Sequence, residues 1–197
     1  MAESSSLLNC QTRKGLVGSN PTFPAKIKSM KNRENNYAFI DGQNLIMAIK
    51  ERGWVLDIQR FRIYLKEKYS VTKSYIFLGF REDHQPLYTS LQEKGYILIF
   101  RPVLKDKNGN IRKGNCDTEL VLHTMIDKDI YDGAVLVTGY GDFYCLVDYL
   151  VRTKKLAKLL IPSKDKYSAM LKGFPSEFLA FVSDQKSKLE YKRKEPR

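Results

Sequence analysis

Residues 37–44 read Tyr-Ala-Phe-Ile-Asp-Gly-Gln-Asn and decide the fold class, because a strand, an acid and a helix start follow one another directly. The apolar run does not alternate with polar residues, which is typical of a strand buried on both faces of a parallel sheet. Asp41 stands where this strand ends. The residues after it have apolar side chains at helical spacing until Gly53, which predicts a helix over 43–52.

The same alternation of strand and helix continues along the chain. Further strands are predicted at 74–80, 96–100, 134–138 and 157–161, and further helices at 58–69, 85–94, 118–128 and 142–153. Two short helices are expected at 168–171 and 176–180. The pattern predicts an α/β fold, a three-layer α/β/α domain with a mostly parallel central sheet.

Two more acids occupy positions comparable to that of Asp41. Asp142 follows the strand 134–138, and Asp117 begins the helix 118–128. Function in open α/β sheets gathers outside the carboxyl ends of the strands, so these carboxylates are expected to meet there. Three carboxylates repel one another unless a cation lies between them, and oxygen-only clusters suit Mg²⁺ or Mn²⁺. We therefore expect Asp41, Asp117 and Asp142 to bind Mg²⁺ or Mn²⁺, and Asn44 to contact a phosphate or a metal-bound water.

Glu119 or Asp148 could add a ligand through water. Simpler structural roles stay open at each position. An aspartate after a strand is commonly a helix N-cap, and Asn44 could form an Asx turn. Cys116 has no histidine partner in its motif, so we expect it to be inert apolar filler.

The composition favours a polyanionic partner. The 197 residues hold 34 basic and 22 acidic side chains, a net charge of +12, and nucleic acid is the commonest partner of such chains. Candidates for RNA contact are Arg81, Arg101, Lys105, Lys107, Arg112 and Lys113. The alternative for about half of these residues is a solvated basic face.

Other totals set limits on where the protein works. No run of about 18 apolar residues exists to span a bilayer. The three cysteines are odd in number and lack CxxC spacing, so a reduced, cytoplasmic protein is expected.

The two ends of the chain are expected to lie outside the domain at 36–182. Residues 1–29 show neither periodicity nor a signal-peptide core, which predicts a disordered or spurious extension. Codons that fit residues 17–22 can form a stem and loop like the T arm of a transfer RNA gene, which favours translation from Met30. Residues 184–197 are predicted to be a charged tail.

Three motifs resemble those of the NYN domain family, which is PIN-like and includes the bacterial LabA-like group. They read Phe-Ile-Asp-Gly-Gln-Asn at 39–44, Lys-Gly-Asn-Cys-Asp-Thr-Glu-Leu at 113–120 and Val-Thr-Gly-Tyr-Gly-Asp-Phe at 137–143. The resemblance implies a PIN-like fold and a divalent-metal-dependent ribonuclease acting in RNA processing or turnover. Carried over residue by residue, it implies catalytic roles for Asp41, Asn44, Asp117 and Asp142.

One position departs from the family pattern. The last motif usually carries two acids, and Tyr140 replaces the first of them. A phenol is a poor Mg²⁺ ligand and is neutral at pH 7, so a weakened ribonuclease is expected. The alternative is a catalytically inactive RNA-binding module with the same fold, and a structural interaction domain is a third possibility.

Overall fold

The computed structural model describes residues 34–101 and 116–192. The predicted extension at 1–29 lies outside these ranges, as do Lys105, Lys107, Arg112 and Lys113. The strands are β1 Asn36–Asp41, β2 Val71–Gly79, β3 Ile97–Arg101, β4 Ala134–Val137, β5 Leu156–Ile161 and β6 Leu179–Phe181. The helices are α1 Gly42–Glu51, α2 Ile58–Tyr69, α3 Gln85–Glu93, α4 Asp117–Ile126, α5 Tyr144–Arg152 and α6 Lys186–Leu189.

The six strands form one sheet in the order β3-β2-β1-β4-β5-β6, and every neighbouring pair is parallel. This confirms the α/β fold class predicted from the sequence. The sequence predicts a mostly parallel sheet, and in the structure the sheet is parallel throughout. The strand order reverses between β1 and β4, which is the switch point where ligand sites of open α/β sheets form.

Two apolar layers flank the sheet, because the strand residues alternate between its faces. Ala38 and Ile40 of β1 pack on the side of α1, α2 and α3, together with Leu45 and Phe61. The other face carries Tyr37 and Phe39, which pack with residues of α4 and α5. The chain therefore changes face between β3 and α4, and a three-layer arrangement results.

Two short segments near the end of the chain differ from the sequence-based expectation. The predicted helix over 176–180 is a 3-10 turn, Ser176–Phe178, and β6 follows it. Pairing with β5 along the sheet edge determines this strand, and local pattern does not reveal such a pairing. In addition, Leu189 of α6 is buried in the α1–α3 layer, so the first part of the charged tail belongs to the packed fold.

Within the described ranges, no helix is both long enough and apolar enough to cross a membrane.

Candidate functional site at the switch point of the sheet

Asp41 is the last residue of β1 and lies at the reversal of strand order. Its side chain is buried, with 9% of its surface exposed. One carboxylate oxygen accepts a hydrogen bond from the N–H of Asn44 at 2.9 Å, so Asp41 is the N-cap of α1. Asp41 therefore has the simpler structural role that was left open from the sequence, that of a helix N-cap.

The role of Asp41 as an N-cap does not explain why the pKa of its carboxyl is raised. Burial raises the pKa of this carboxyl to about 6, and the charge of neighbouring Asp117 raises it as well. Hydrogen bonds from the N–H groups of Asn44 and Gln43 and from the Thr138 hydroxyl act in the opposite direction. Asp41 thus carries a charge that its surroundings stabilise incompletely, as is common at functional sites.

Asp117 and Glu119 reach the same edge from the first turn of α4. Asp117 is not an N-cap, because Cys116 holds that position. Arg101, at the end of β3, places its Nε 3.6 Å from Oε1 of Glu119. The other oxygen, Oε2 of Glu119, is buried and accepts no hydrogen bond from residues 34–101 or 116–192. A buried carboxylate oxygen without a donor is costly, and a bound cation would relieve that cost.

Cys116 lies within electrostatic reach of this cluster. Burial raises the pKa of its thiol to about 11, and the charges of Glu119 and Asp41 contribute. The thiol therefore stays protonated at neutral pH, which supports the interpretation that Cys116 is not a nucleophile.

Asp142 lies in the 3-10 helix Gly141–Phe143 that follows β4, and its side chain is exposed. It is not the N-cap of α5, since Phe143 holds that position. The α4 helix packs against this 3-10 helix and against β1, which brings Asp41, Asp117 and Asp142 to one edge of the sheet. In the described residues, no three His, Cys, Asp or Glu side chains are grouped closely enough to hold a metal ion. Joint metal binding by the three aspartates therefore stays a prediction.

Asn44 has a structural role that the sequence did not reveal. Its side-chain oxygen accepts a hydrogen bond from the N–H of Gly139 at 2.8 Å, which joins α1 to the loop after β4. The N–H of Tyr140 in turn donates to the Thr138 hydroxyl at 3.2 Å. Asn44 and Thr138 thus fix the loop that carries Asp142 relative to Asp41. The amide nitrogen of Asn44 is the atom that can donate to a phosphate, as predicted from the sequence.

A family model of the NYN domain matches residues 37–180. The chain belongs to the NYN domain family. This confirms the resemblance drawn from the three motifs, all of which contribute residues to the edge described above.

Two other proteins are similar to this chain, one in sequence and one in structure. The low amplitude and bright protein LabA of Synechococcus elongatus is 28% identical over an alignment of 126 residues, and the match covers 59% of this chain and 67% of the relative. A crystal structure of a protein of unknown function from Vibrio parahaemolyticus superposes with a TM-score of 0.66 at 18% identity, and covers 82% of this chain and 98% of that chain. The latter likeness shows the fold alone.

Tyr140, the departure from the NYN motif, is 38% exposed. It lines a cleft between α1 and the segment after β5, together with Asn44 and Lys166. An exposed aromatic side chain thus lies in the loop that leads from β4 to Asp142.

Of the predicted RNA-contacting residues, Arg81 and Arg101 are among the described ones, and Arg101 pairs with Glu119. Arg81 pairs with Asp83 at 2.8 Å on the surface. The remaining candidates stay predictions.

Proposed function

We propose that this NYN domain is a divalent-metal-dependent ribonuclease that cleaves phosphodiester bonds of RNA at the edge formed by Asp41, Asp117 and Asp142. The observation that carries the proposal is the buried negative charge at this edge. Asp41 is buried beside Asp117, and a buried oxygen of Glu119 has no hydrogen-bond donor among the residues that the structure describes. Membership of the NYN family and the net charge of +12 support RNA as the substrate.

The side chains suit Mg²⁺ or Mn²⁺, since all of them offer carboxylate oxygens. Asp41, Asp117 and Asp142 would hold the ion, and Glu119 would contribute its unpaired oxygen directly or through a water. When bound, such an ion lowers the pKa of a water and stabilises charge on phosphoryl oxygens.

The remaining groups bind and orient the substrate. Arg101 provides a positive charge next to Glu119, where an RNA phosphate could approach. The hydrogen bond from Gly139 to Asn44 fixes the loop that leads to Asp142 relative to α1. With a pKa of about 6, Asp41 is mostly ionised at neutral pH and is available as a ligand.

The test is cleavage of an end-labelled single-stranded RNA with Mn²⁺ or with EDTA, using wild type, Asp41→Asn and Asp129→Asn. Asp129 is an exposed acid after α4, at the opposite end of the sheet, and serves as the matched control. Wild type and the control should cut with Mn²⁺ only. Asp41→Asn should be slower by at least about 100-fold, because even partners of metal ligands contribute 10–100-fold.

A second candidate follows from Tyr140, which occupies the position of a usual acid in the last motif. This candidate is an RNA-binding module that no longer cuts. It predicts RNA binding by wild type without cleavage at any Mn²⁺ concentration. Equal cleavage by wild type and Asp41→Asn would contradict the proposed site.

A further inference from the structure

The cleft beside the acidic edge has the dimensions of a small-ligand site. It lies between α1 and the residues after β5 and has a volume of about 290 Å³, near the lower end for such pockets. Its lining residues are Asn44, Met47, Ala48, Glu51, Gly139, Tyr140, Gly141, Lys166, Tyr167 and Ser168.

The walls of the cleft are held in place by the segment after β5. Arg52 pairs with Asp165, and Lys166 Nζ lies 2.9 Å from a carboxylate oxygen of Glu51, so two ion pairs join this segment to α1. On the other side, the N–H of Ser168 donates to the carbonyl of Gly139 at 2.9 Å. These contacts therefore connect the segment after β5 to both α1 and the loop after β4, on the two sides of the cleft.

Two tyrosines line the cleft, and they differ in what their rings contact. The ring of Tyr167 packs against Phe181, with centroids 5.7 Å apart, and lies 5.5 Å from Nζ of Lys172. Tyr140 makes no ring or cation contact with any described residue, although 38% of its surface is exposed. Met47, which is 42% exposed, lies in the same cleft. An aromatic face next to an adaptable thioether is thus open to a planar ligand.

Polar groups surround this aromatic face. The side-chain oxygen of Asn44 is occupied by Gly139, so its amide nitrogen is the atom left to donate, and no described residue accepts from it. The hydroxyl of Ser168 accepts from the N–H of Met170 at 3.3 Å and can still donate. Lys166 adds a positive charge at the rim, where its partner Glu51 is exposed. Donors, an aromatic surface and a nearby cation match a nucleobase attached to phosphate.

We propose that this cleft binds an unpaired nucleobase of single-stranded RNA, stacked on Tyr140 and recognised at its edge by Asn44 and Ser168. The inference rests on the proposed function in that RNA is the ligand, and it does not require cleavage. A base within a duplex would have to unpair and unstack first, which costs a few kcal/mol. Tyr140 therefore makes the domain selective for single-stranded RNA.

The experiment is fluorescence anisotropy with a labelled RNA 12-mer, single-stranded or paired with its complement, in EDTA so that metal-dependent cleavage cannot interfere. Wild type is compared with Tyr140→Ala, Tyr140→Phe and Tyr191→Ala. Tyr191 is 57% exposed and lies outside the cleft, so it is the matched control. Thermal melts establish that each variant is folded.

Tyr140→Ala should weaken single-strand binding by about 5-fold or more, because stacking contributes about 1–3 kcal/mol per base. Tyr140→Phe and Tyr191→Ala should bind like wild type, and duplex affinity should not change in any variant. Unchanged single-strand binding by Tyr140→Ala would overturn the proposal, as would an equal loss for single strand and duplex or no RNA binding by wild type. Failure of cleavage alone would contradict the ribonuclease and leave this subsite supported.

Discussion

At the scale of single residues, Asp41 combines a structural and an electrostatic role. It caps α1, and it is also a buried acid whose pKa is about 6. Above that pH its charge costs the native state free energy, because the unfolded chain ionises the same group near 3.8. The cost amounts to about 3 kcal/mol, since a change of one in pKa corresponds to 1.36 kcal/mol.

Asp41→Asn should therefore stabilise the metal-free protein in a pH-dependent way. Asn caps helices about as well as Asp, so the cap survives while the charge is lost. Below pH 4 both proteins should have similar free energies of unfolding, because Asp41 is protonated in the folded and unfolded states. The gap should grow between pH 4 and 6 and reach about 3 kcal/mol at pH 8.

Urea unfolding in EDTA at pH 4 and pH 8 measures this gap. Asp57→Asn is the matched control, since Asp57 caps α2 through the N–H of Arg60 at 3.0 Å and is only half-buried. That variant should gain no stability at either pH. A destabilised Asp41→Asn at pH 8 would mean that the carboxylate is favourable in the apo protein.

The position of Asp41 could be predicted from the sequence, because an acid that follows a buried strand of a parallel sheet must lie at its carboxyl edge. Two features could not be predicted from the sequence. They are the buried Oε2 of Glu119, which has no donor among the described residues, and the hydrogen bond that Asn44 accepts from Gly139. Both depend on packing between segments far apart in the chain, such as the pairing of Glu119 with Arg101 and the approach of Gly139 to Asn44.

At the scale of elements, the loop after β4 and the segment after β5 pack so closely that a side chain at position 141 has no room. A Cβ on Gly141 would overlap Oγ of Ser168 and lie 3.1 Å from the sulfur of Met170. The glycine is therefore required by the contact that forms one wall of the cleft.

Gly141→Ala should destabilise the protein by about 1–3 kcal/mol, the usual cost of overpacking. Ser168→Ala removes the overlapping oxygen, so the double variant should be more stable than the sum of the single changes predicts. Gly173→Ala is the control, because nothing lies within 4 Å of the added Cβ. Additive effects in a denaturant double-mutant cycle would show that the two positions do not interact.

Local pattern was sufficient for most elements and failed at the edge of the sheet. The helix α2 has the bounds predicted from its cap and apolar spacing, Ile58–Tyr69. The sequence predicts a helix over 176–180, and the start of β6 lies there instead, because pairing with β5 determines a strand too short to show a periodicity of its own. Short edge strands depend on tertiary contacts, which a sequence does not display.

At the scale of the whole molecule, the parallel sheet brings every strand end to one edge, and the net charge of +12 attracts polyanions towards the protein. Arg112 and Lys113 precede the acids of α4 in the chain and are predicted to contact phosphates there. Lys66 and Lys68 are exposed on α2, which runs to the opposite end of the sheet, where β2 begins.

Replacing Arg112 and Lys113 by Ala should weaken RNA binding and lower the slope of log affinity against log salt by about 1.4, since each phosphate contact on a single strand contributes about 0.7. The Lys66→Ala and Lys68→Ala pair should leave the slope unchanged. Anisotropy titrations between 50 and 200 mM salt, in EDTA, compare the pairs. An equal change in both would mean that RNA is attracted by net charge without a defined contact at 112–113.

The acids at this edge are proposed to bind a divalent metal. The most direct measurement is the melting temperature of wild type, Asp41→Asn, Asp117→Asn and Asp129→Asn as Mn²⁺ is raised from zero in EDTA-treated protein. An ion that binds the native state stabilises it by mass action. The melting temperatures of wild type and Asp129→Asn should therefore rise by several degrees and level off as the site saturates. Asp41→Asn and Asp117→Asn should gain much less at the same Mn²⁺ concentration. Equal gains in all four proteins, or none in wild type, would contradict the claim.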